Sequence, residues 1–355
     1  MASPIITEAV RHLVERKDLS RLEAAAAMEA IMSGAATNAQ IAAFLTALRM
    51  KGETVEELIG FAQVMRQKAV RIRVHDEVAG MTGTDREMLI DTCGTGGDAT
   101  GTFNVSTATA FVVAGAGLKV AKHGNRSVSS LCGSADVVET LGINLDLSPQ
   151  KVARCVDEVG IGFLYAPLLH TAMKHVMPVR REMAIRTVFN MLGPLTNPAA
   201  ANAQIIGVYS AALTEPLARV LAELGTVRAF VVHGADNLDE ISSTGESRVS
   251  EVREGMVRSY TVRPEDFGVA RTTIGELMGG DREENAQIIR AILDGDAGPK
   301  RDIVLMNSAA ALVAGGKARD LKEGVGLAAH AVDSGAALRK LEALVGLSRR
   351  LAEEK

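Results

Sequence analysis

Two loops rich in glycine, hydroxyls and positive charge fall within residues 91–136, each leaving a short apolar run and entering a helical one. Strand, loop and helix in that order, twice over, restrict this region to an α/β arrangement. The first loop is DTCGTGGD (residues 91–98), preceded by Met88, Leu89 and Ile90 and followed by a stretch of Ala, Val and Phe at 106–116 that reads as a buried helix. Gly94, Gly96 and Gly97 let backbone amides approach an anion, and the helix beginning near Ser106 directs unsatisfied amides and positive dipole the same way. The second loop, KHGNRSVSS (residues 122–130), brings Lys122 and Arg126 and leads to another helix start near Ser134. A pair of such loops predicts a ligand phosphorylated at both ends. A tight turn is the competing reading of the first loop alone; the second, with no obvious core role, favours the anion site at the carboxyl edge of a sheet.

Ahead of these loops, residues 1–70 read as helices only. Ile6, Ala9, Val10, Leu13 and Val14 keep helical spacing, and capping boxes stand at Ser20/Glu23, Thr37/Gln40 and Thr54/Glu57. Gly34 and Gly52 mark two helix ends, and a mixed, charged segment between Val70 and Met88 reads as a hinge. From Met88 on, short β-branched runs alternate with helical ones, with strands expected at 88–91, 118–121, 161–164, 205–209 and 229–232. Ser148-Pro149 and Thr214-Glu215-Pro216 read as N-caps, and Gly160 and Gly225 as helix stops. Residues 167–190 are rich in helix formers and are expected to fold back onto the N-terminal helices. The tail from Glu283 is Ala-, Leu- and charge-rich helix.

At 355 residues and 47% hydrophobic content the chain can bury a large core, with length for two domains. A net charge of −4 without long basic runs argues against a nucleic-acid binder held by a broad basic surface. Cys93, Cys132 and Cys155 form no CxxC pair, and an odd count points to a reducing compartment. With no apolar run near the ~18 residues of a membrane helix, the expected location is the cytoplasm.

Outside the two loops, HGADNLDEISSTGES (residues 233–247) holds Asp236, Asp239 and Glu240 after another strand. Adjacent Asp239 and Glu240 on irregular backbone can face one hard cation, with water and ligand phosphate oxygens completing a magnesium shell; a solvated turn is the alternative. Arg180 and Arg181 share a helical segment with His170, Met173, Lys174 and His175. One arginine on an inner face could fork onto a small carboxylate, but plain surface charge is the favoured reading of the residues by themselves. His170 and His175 lack the spacing of a zinc helix, His123 reads as a general base or a loop organiser, and no cysteine has an evident catalytic partner. GPLTNP (residues 193–198) reads as a rigid turn without chemistry.

Taken in order, DTCGTGGD, TFNVST, KHGNRSVSS, GSAD, VRRE, FNMLGPLTNP and HGADNLDEIS resemble the anthranilate phosphoribosyltransferases of tryptophan biosynthesis over most of the chain. The resemblance implies a small all-helical domain (1–72, completed by 165–190) hinged to a large α/β domain with a mainly parallel central sheet (73–164 and 191–355), assembled as a homodimer. It further implies phosphoribosyl pyrophosphate and anthranilate as substrates, Mg2+ as cofactor, and neither nucleic acid nor membrane as partner. By the same resemblance Gly94, Gly97, Asp98, Thr102, Asn104, Val105, Ser106, Thr107, Lys122 and Ser134 hold the pyrophosphate and ribose phosphate. Gly124, Asn125, Arg126, Ser127, Val128, Ser129 and Ser130 close over them, and Ser106, Asp239 and Glu240 bind magnesium. Gly94, Asn125 and Arg180 take anthranilate, Arg180 its carboxylate, with His123, His170 and Met173 lining the approach. Two departures from the family pattern are Leu131, where a lysine is more usual, and Thr171, where a proline is.

The implied reaction needs no covalent nucleophile. The aromatic amine of anthranilate is unprotonated at neutral pH and can attack the anomeric carbon, so the difficult step is departure of pyrophosphate, eased by the metal, Lys122 and the glycine-loop amides. Inversion at that carbon is expected. A pyrimidine nucleoside phosphorylase, recognised by thymidine phosphorolysis, and a nucleic-acid-binding relative, recognised by salt-sensitive binding to single-stranded DNA, are the competing readings.

Overall fold

The computed structural model describes residues 2–74, 87–96, 100–127 and 131–354. Four helices come first: α1 (Pro4–Val14), α2 (Arg21–Met32), α3 (Asn38–Lys51) and α4 (Val55–Lys68). All three capping boxes form, with Ser20, Thr37 and Thr54 each accepting from the backbone three residues on. The last of them reaches beyond its own helix. Buried Glu57 accepts from Thr54 N at 2.8 Å and Leu19 N at 2.9 Å and pairs with Lys51 Nζ at 3.0 Å, tying the starts of α2 and α4 together. Such a carboxylate is stable in the interior because every charge it presents is answered.

One seven-stranded sheet follows, built from β1 (Leu89–Gly94), β2 (Lys119–Gly124), β3 (Ile161–Tyr165), β4 (Ala203–Gly207), β5 (Arg228–His233), β6 (Ser247–Arg253) and β7 (Met256–Val262). Its order is β3-β2-β1-β4-β5-β6-β7, parallel through β5 and antiparallel from β5 to β7. The interior strands are buried on both faces because helices cover both, as parallel sheets require. Covering them are α5 (Val105–Gly115), α6 (Ser134–Thr140), α7 (Pro149–Val159), α11 (Thr214–Glu223) and the C-terminal α12 (Arg282–Leu293), α13 (Pro299–Ala314), α14 (Leu321–Asp333) and α15 (Ala336–Glu353). The chain leaves β1 for β2 on one side and returns to β4 on the other. The carboxyl ends of β1 and β4 therefore flank a topological switch point, where ligands bind in open α/β sheets.

Several expectations change in detail. The fourth strand begins two residues earlier than its apolar run, and the β6–β7 hairpin was not anticipated: its strands are polar on their open face and turn through Glu254 and Gly255, both at positive φ. Thr214 is not an N-cap; α11 starts at it, entered from a 3-10 turn, and its Oγ1 donates to Ala211 O at 2.9 Å. Residues 167–190 form short pieces instead of one long helix: α8 (Ala166–Leu169), a 3-10 turn at Thr171–His175, α9 (Met177–Met183) and α10 (Val188–Leu192). Val176, Val179, Val188 and Phe189 from this segment share a core with Phe44, Leu48, Phe61 and Met65 of the N-terminal helices.

The crossings between the helical and α/β parts are bonded to one another. Val70 N donates to Leu169 O at 2.8 Å and Ile72 N to Pro198 O at 3.1 Å. Arg66 of α4 donates to Leu195 O at 2.8 Å and Leu224 O at 3.1 Å, and burial lowers its guanidinium to about 10.

Candidate active site

Gly94 and Gly207 close β1 and β4, are paired in register, and form the floor of the switch point. Neither can carry a side chain. A Cβ on Gly94 would stand 2.5 Å from Asp239 Oδ2, and one on Gly207 would collide with the Asp239 carbonyl. The loop after β5 is thus pressed onto the ends of β1 and β4, and Asp239 Oδ2 accepts from Gly96 N at 3.0 Å. Glu240, beside it, is buried.

Lys122, near the end of β2, enters this floor from below. Its ammonium is buried, donates to Thr92 O at 2.6 Å, and lies 3.3 Å from Ser106 Oγ. Burial lowers its pKa, opposed by the negative charges of Asp91 and Glu240. Asp91 is buried as well, accepting from His123 N at 3.0 Å and Asn197 Nδ2 at 2.8 Å; burial raises its carboxyl, opposed by Asn197 and Lys122. Sequence reasoning passed over Asn197 in the 193–198 turn, although an asparagine wedged between Pro194 and Pro198 is poised to present its amide to neighbouring backbone.

Thr102, Asn104, Val105, Ser106 and Thr107 run from the first loop into α5. Thr102 bridges Met278, Ser106 O accepts from Thr92 Oγ1 at 2.9 Å, and Val105 and Thr107 are buried. Asn104 donates to Cys132 O at 3.3 Å, joining this loop to the second. There Asn125 N donates to Ser134 Oγ at 3.3 Å, and Ala135 N to Asn125 O at 3.1 Å. Gly124 and Gly133 are closely packed positions: a Cβ would strike Ser134 and Phe163 in the first case and the 125–127 backbone in the second. Gly97, Asp98, Val128, Ser129 and Ser130 lie outside the described residues.

Arg126 is placed differently from the sequence expectation. Its guanidinium pairs with Asp136 Oδ1 and Glu139 Oε2, both at 2.9 Å, and with Tyr165 Oη at 3.2 Å, which raises its pKa further. Asp136 also accepts from Ser127 N at 3.1 Å and Gly133 N at 2.9 Å. In this arrangement Arg126 binds carboxylates of α6 and shapes the loop from outside. A cleft of about 390 Å³ beyond it, lined by Glu139, Asn144, Tyr165 and Arg349, includes neither Lys122 nor Ser106.

His123 and His170 meet edge to face with centroids 5.3 Å apart, bringing the 165–190 segment to the end of β2. Burial, then His170 and Lys122, lowers His123 to about 3, and burial lowers His170 to about 4. His123 Nε2 and both His170 nitrogens have no partner among the described residues. Neutral imidazoles with free polar atoms can receive a ligand. Arg180 of α9 lies over the Phe189 ring at 5.6 Å, its pKa lowered by burial, and has no carboxylate partner among the described residues.

The resemblance also implies magnesium, and the donor set fits it. Asp239, Glu240 and Ser106 offer hard oxygens, and glycine at 94 and 207 leaves Asp239 its place above the strand ends. Magnesium is usually held by one or two carboxylates plus substrate phosphate oxygens and water, which two acidic side chains suit.

Comparison with known proteins agrees with this geometry. Residues 7–69 match the glycosyl transferase family helical bundle domain, and residues 86–338 the glycosyl transferase family a/b domain. The chain belongs to that family. Within it, an anthranilate phosphoribosyltransferase of Symbiobacterium thermophilum is 57% identical over 345 residues, covering 97% of this chain and 98% of the relative. The crystal structure of anthranilate phosphoribosyltransferase from Thermus thermophilus superposes with a TM-score of 0.88 at 42% identity, covering 96% of this chain and 99% of that one. The Saccharomyces cerevisiae enzyme, in complex with PRPP and Mg, gives 0.86 at 29% identity over 98% of this chain and 99% of its own. This chain is a member of the anthranilate phosphoribosyltransferases.

Proposed function

We propose that the chain transfers the 5-phosphoribosyl group from phosphoribosyl pyrophosphate to the amine of anthranilate, giving N-(5-phosphoribosyl)anthranilate and pyrophosphate in tryptophan biosynthesis. The observation that carries the assignment to this site is the pairing of two cation positions: Lys122 beneath the switch point, and Arg180 half-buried without a carboxylate partner among the described residues. The first suits a pyrophosphate, the second a small carboxylate.

In this reading the amine nitrogen forms a bond to the anomeric carbon as the bond from that carbon to the pyrophosphate oxygen breaks, and the amine proton leaves to solvent. Lys122 and the amides of the first loop balance charge on the departing pyrophosphate, while Asn104, Ser106 and Thr107 orient the phosphates. Held by Asp239, Glu240 and Ser106, magnesium would supply Lewis-acid stabilisation of that leaving group. Arg180 orients anthranilate. His123, His170 and Met173 line its approach, with the imidazoles too weakly basic to hold its proton.

Residues 1–72 with 165–190 form the helical domain of this reading, and the remainder the α/β domain. A homodimer through the helical domain belongs to the same reading, and Val14, Leu22 and Met50 are exposed apolar side chains there that a partner could cover. The three cysteines, free and buried, support the reducing cytoplasm. Loss of anthranilate fluorescence with phosphoribosyl pyrophosphate, assayed beside thymidine phosphorolysis, tests the function; phosphorolysis without anthranilate loss would replace it with the phosphorylase reading.

A further inference from the structure

We propose that Asn285, on α12, is a positioning residue that fixes the side-chain amide of Asn104 and through it couples the two phosphate loops. The proposal rests on the phosphoribosyl transfer above and assigns part of its substrate recognition to a helix outside both loops.

Asn285 is 2% exposed. Its Oδ1 accepts from Gly280 N at 2.9 Å, and its Nδ2 donates to Gly280 O at 3.3 Å and to Asn104 Oδ1 at 3.2 Å. Pairing with both polar groups of one residue's backbone leaves a single orientation for this amide, because a flipped amide would set oxygen against oxygen and nitrogen against N–H. The orientation is then passed on. Asn104 must turn Oδ1 toward Asn285, which leaves its Nδ2 to donate to Cys132 O at 3.3 Å. One relay thus runs from Gly280 through Asn285 and Asn104 to the carbonyl next to Gly133, where Asp136 gathers the second loop.

The neighbouring backbone holds Asn285 in reach. Gly279 N donates to Gly101 O at 3.0 Å and Phe103 N to Leu277 O at 3.4 Å, with Thr102 bridging Met278 between them. Gly279 has no room for a Cβ, which would stand 2.7 Å from Phe103 N. The segment before α12 is therefore laid along residues 101–104 just ahead of α5. Asn104 precedes that helix directly, so its amide sets the donors and acceptors offered at the pyrophosphate end of the site.

Asn285→Asp tests the relay without changing volume: it keeps the acceptor for Gly280 N and removes the donations to Gly280 O and Asn104 Oδ1, together with the contact of the Asn285 amide to the Cys132 side chain. Asn104 is then drawn to flip, setting its Oδ1 against Cys132 O. Binding of magnesium phosphoribosyl pyrophosphate is measured by calorimetry in the absence of anthranilate, together with KM for each substrate and thermal stability. Wild type that neither binds nor turns over defeats the proposed function itself; wild type that does both makes the variants decisive. The expected result is affinity for phosphoribosyl pyrophosphate weakened about tenfold, the scale of one buried hydrogen bond, with KM for anthranilate changed less than about twofold. A Leu13→Ala variant, destabilised in the core of the N-terminal helices, is expected to lose stability without that split.

Should the aspartate variant fail to fold, Asn285→Ala is combined with Asn104→Ala in a double-mutant cycle. Action through Asn104 predicts that the double variant binds no more weakly than Asn104→Ala alone. Additive losses, or a fall in stability with unchanged affinity for phosphoribosyl pyrophosphate, would overturn the proposal.

Discussion

Asn197 donates from one nitrogen to two acceptors, Asp91 Oδ2 at 2.8 Å and Ala121 O at 2.9 Å, and so fastens β1 to β2 beneath Lys122. The contact answers a buried carboxylate whose pKa burial pushes up. Asn197→Ala leaves that oxygen unsatisfied and is expected to cost about 2 kcal/mol in urea unfolding. A change below about 0.5 kcal/mol would mean that Lys122 and the His123 amide balance the Asp91 charge without Asn197.

The two buried imidazoles make the protein sensitive to acid. His123 near 3 and His170 near 4 both lie below the unfolded value of about 6.5. Between those limits the unfolded chain binds protons that the folded chain refuses, so their contribution is complete above about pH 6.5 and is lost as pH falls through the window. Each contributes a slope of up to about 1.4 kcal/mol per pH unit there. Urea unfolding of His170→Gln should show a shallower loss than wild type between about pH 6.5 and 4.5; parallel curves would mean that His170 titrates normally in the fold.

Much of this fold was legible because local physics set it. The capping boxes of α2 to α4 and the apolar cores of the five parallel strands are short-range features, and each appears close to where its residues predict. The β6–β7 hairpin was missed because its strands carry Arg248, Glu251, Arg253 and Arg258 and lack a run of apolar residues; the Glu254-Gly255 turn between alternating residues was the available signal. Within the candidate site, residue types and loop positions pointed to Lys122 and Asp239, whereas Arg180 was singled out only by the family resemblance. The parts that hold them were invisible. Asn197 meets Asp91 across 106 positions and Asn285 meets Asn104 across 181, and asparagine in a turn or helix has no pattern that announces such a partner. Arg126, a cation in a phosphate-like loop, has carboxylate partners on the following helix that its position in the loop did not announce.

Arg180 has no carboxylate of its own among the described residues, so its removal should act on the acceptor. Arg180→Ala is expected to raise KM for anthranilate about thirtyfold, the scale of a charge-assisted pair near 2 kcal/mol, while binding of phosphoribosyl pyrophosphate measured alone stays within about twofold. Equal weakening of both substrates would place Arg180 in the domain contact instead.

Gly94 tests the floor of the site. In Gly94→Ala the new methyl would meet Asp239 Oδ2 at 2.5 Å, so the carboxylate or the β1 end has to shift. The magnesium concentration for half-maximal rate is expected to rise about tenfold or more, with thermal stability falling modestly. An unchanged magnesium requirement would remove Asp239 from the metal site.

The most direct test of the central claim is the stoichiometry of the reaction: pyrophosphate released against anthranilate consumed, with magnesium present and then chelated. One pyrophosphate per anthranilate, dependent on both magnesium and anthranilate, is the predicted result. Pyrophosphate release that ignores anthranilate, or no release in the presence of both substrates and magnesium, would contradict the account.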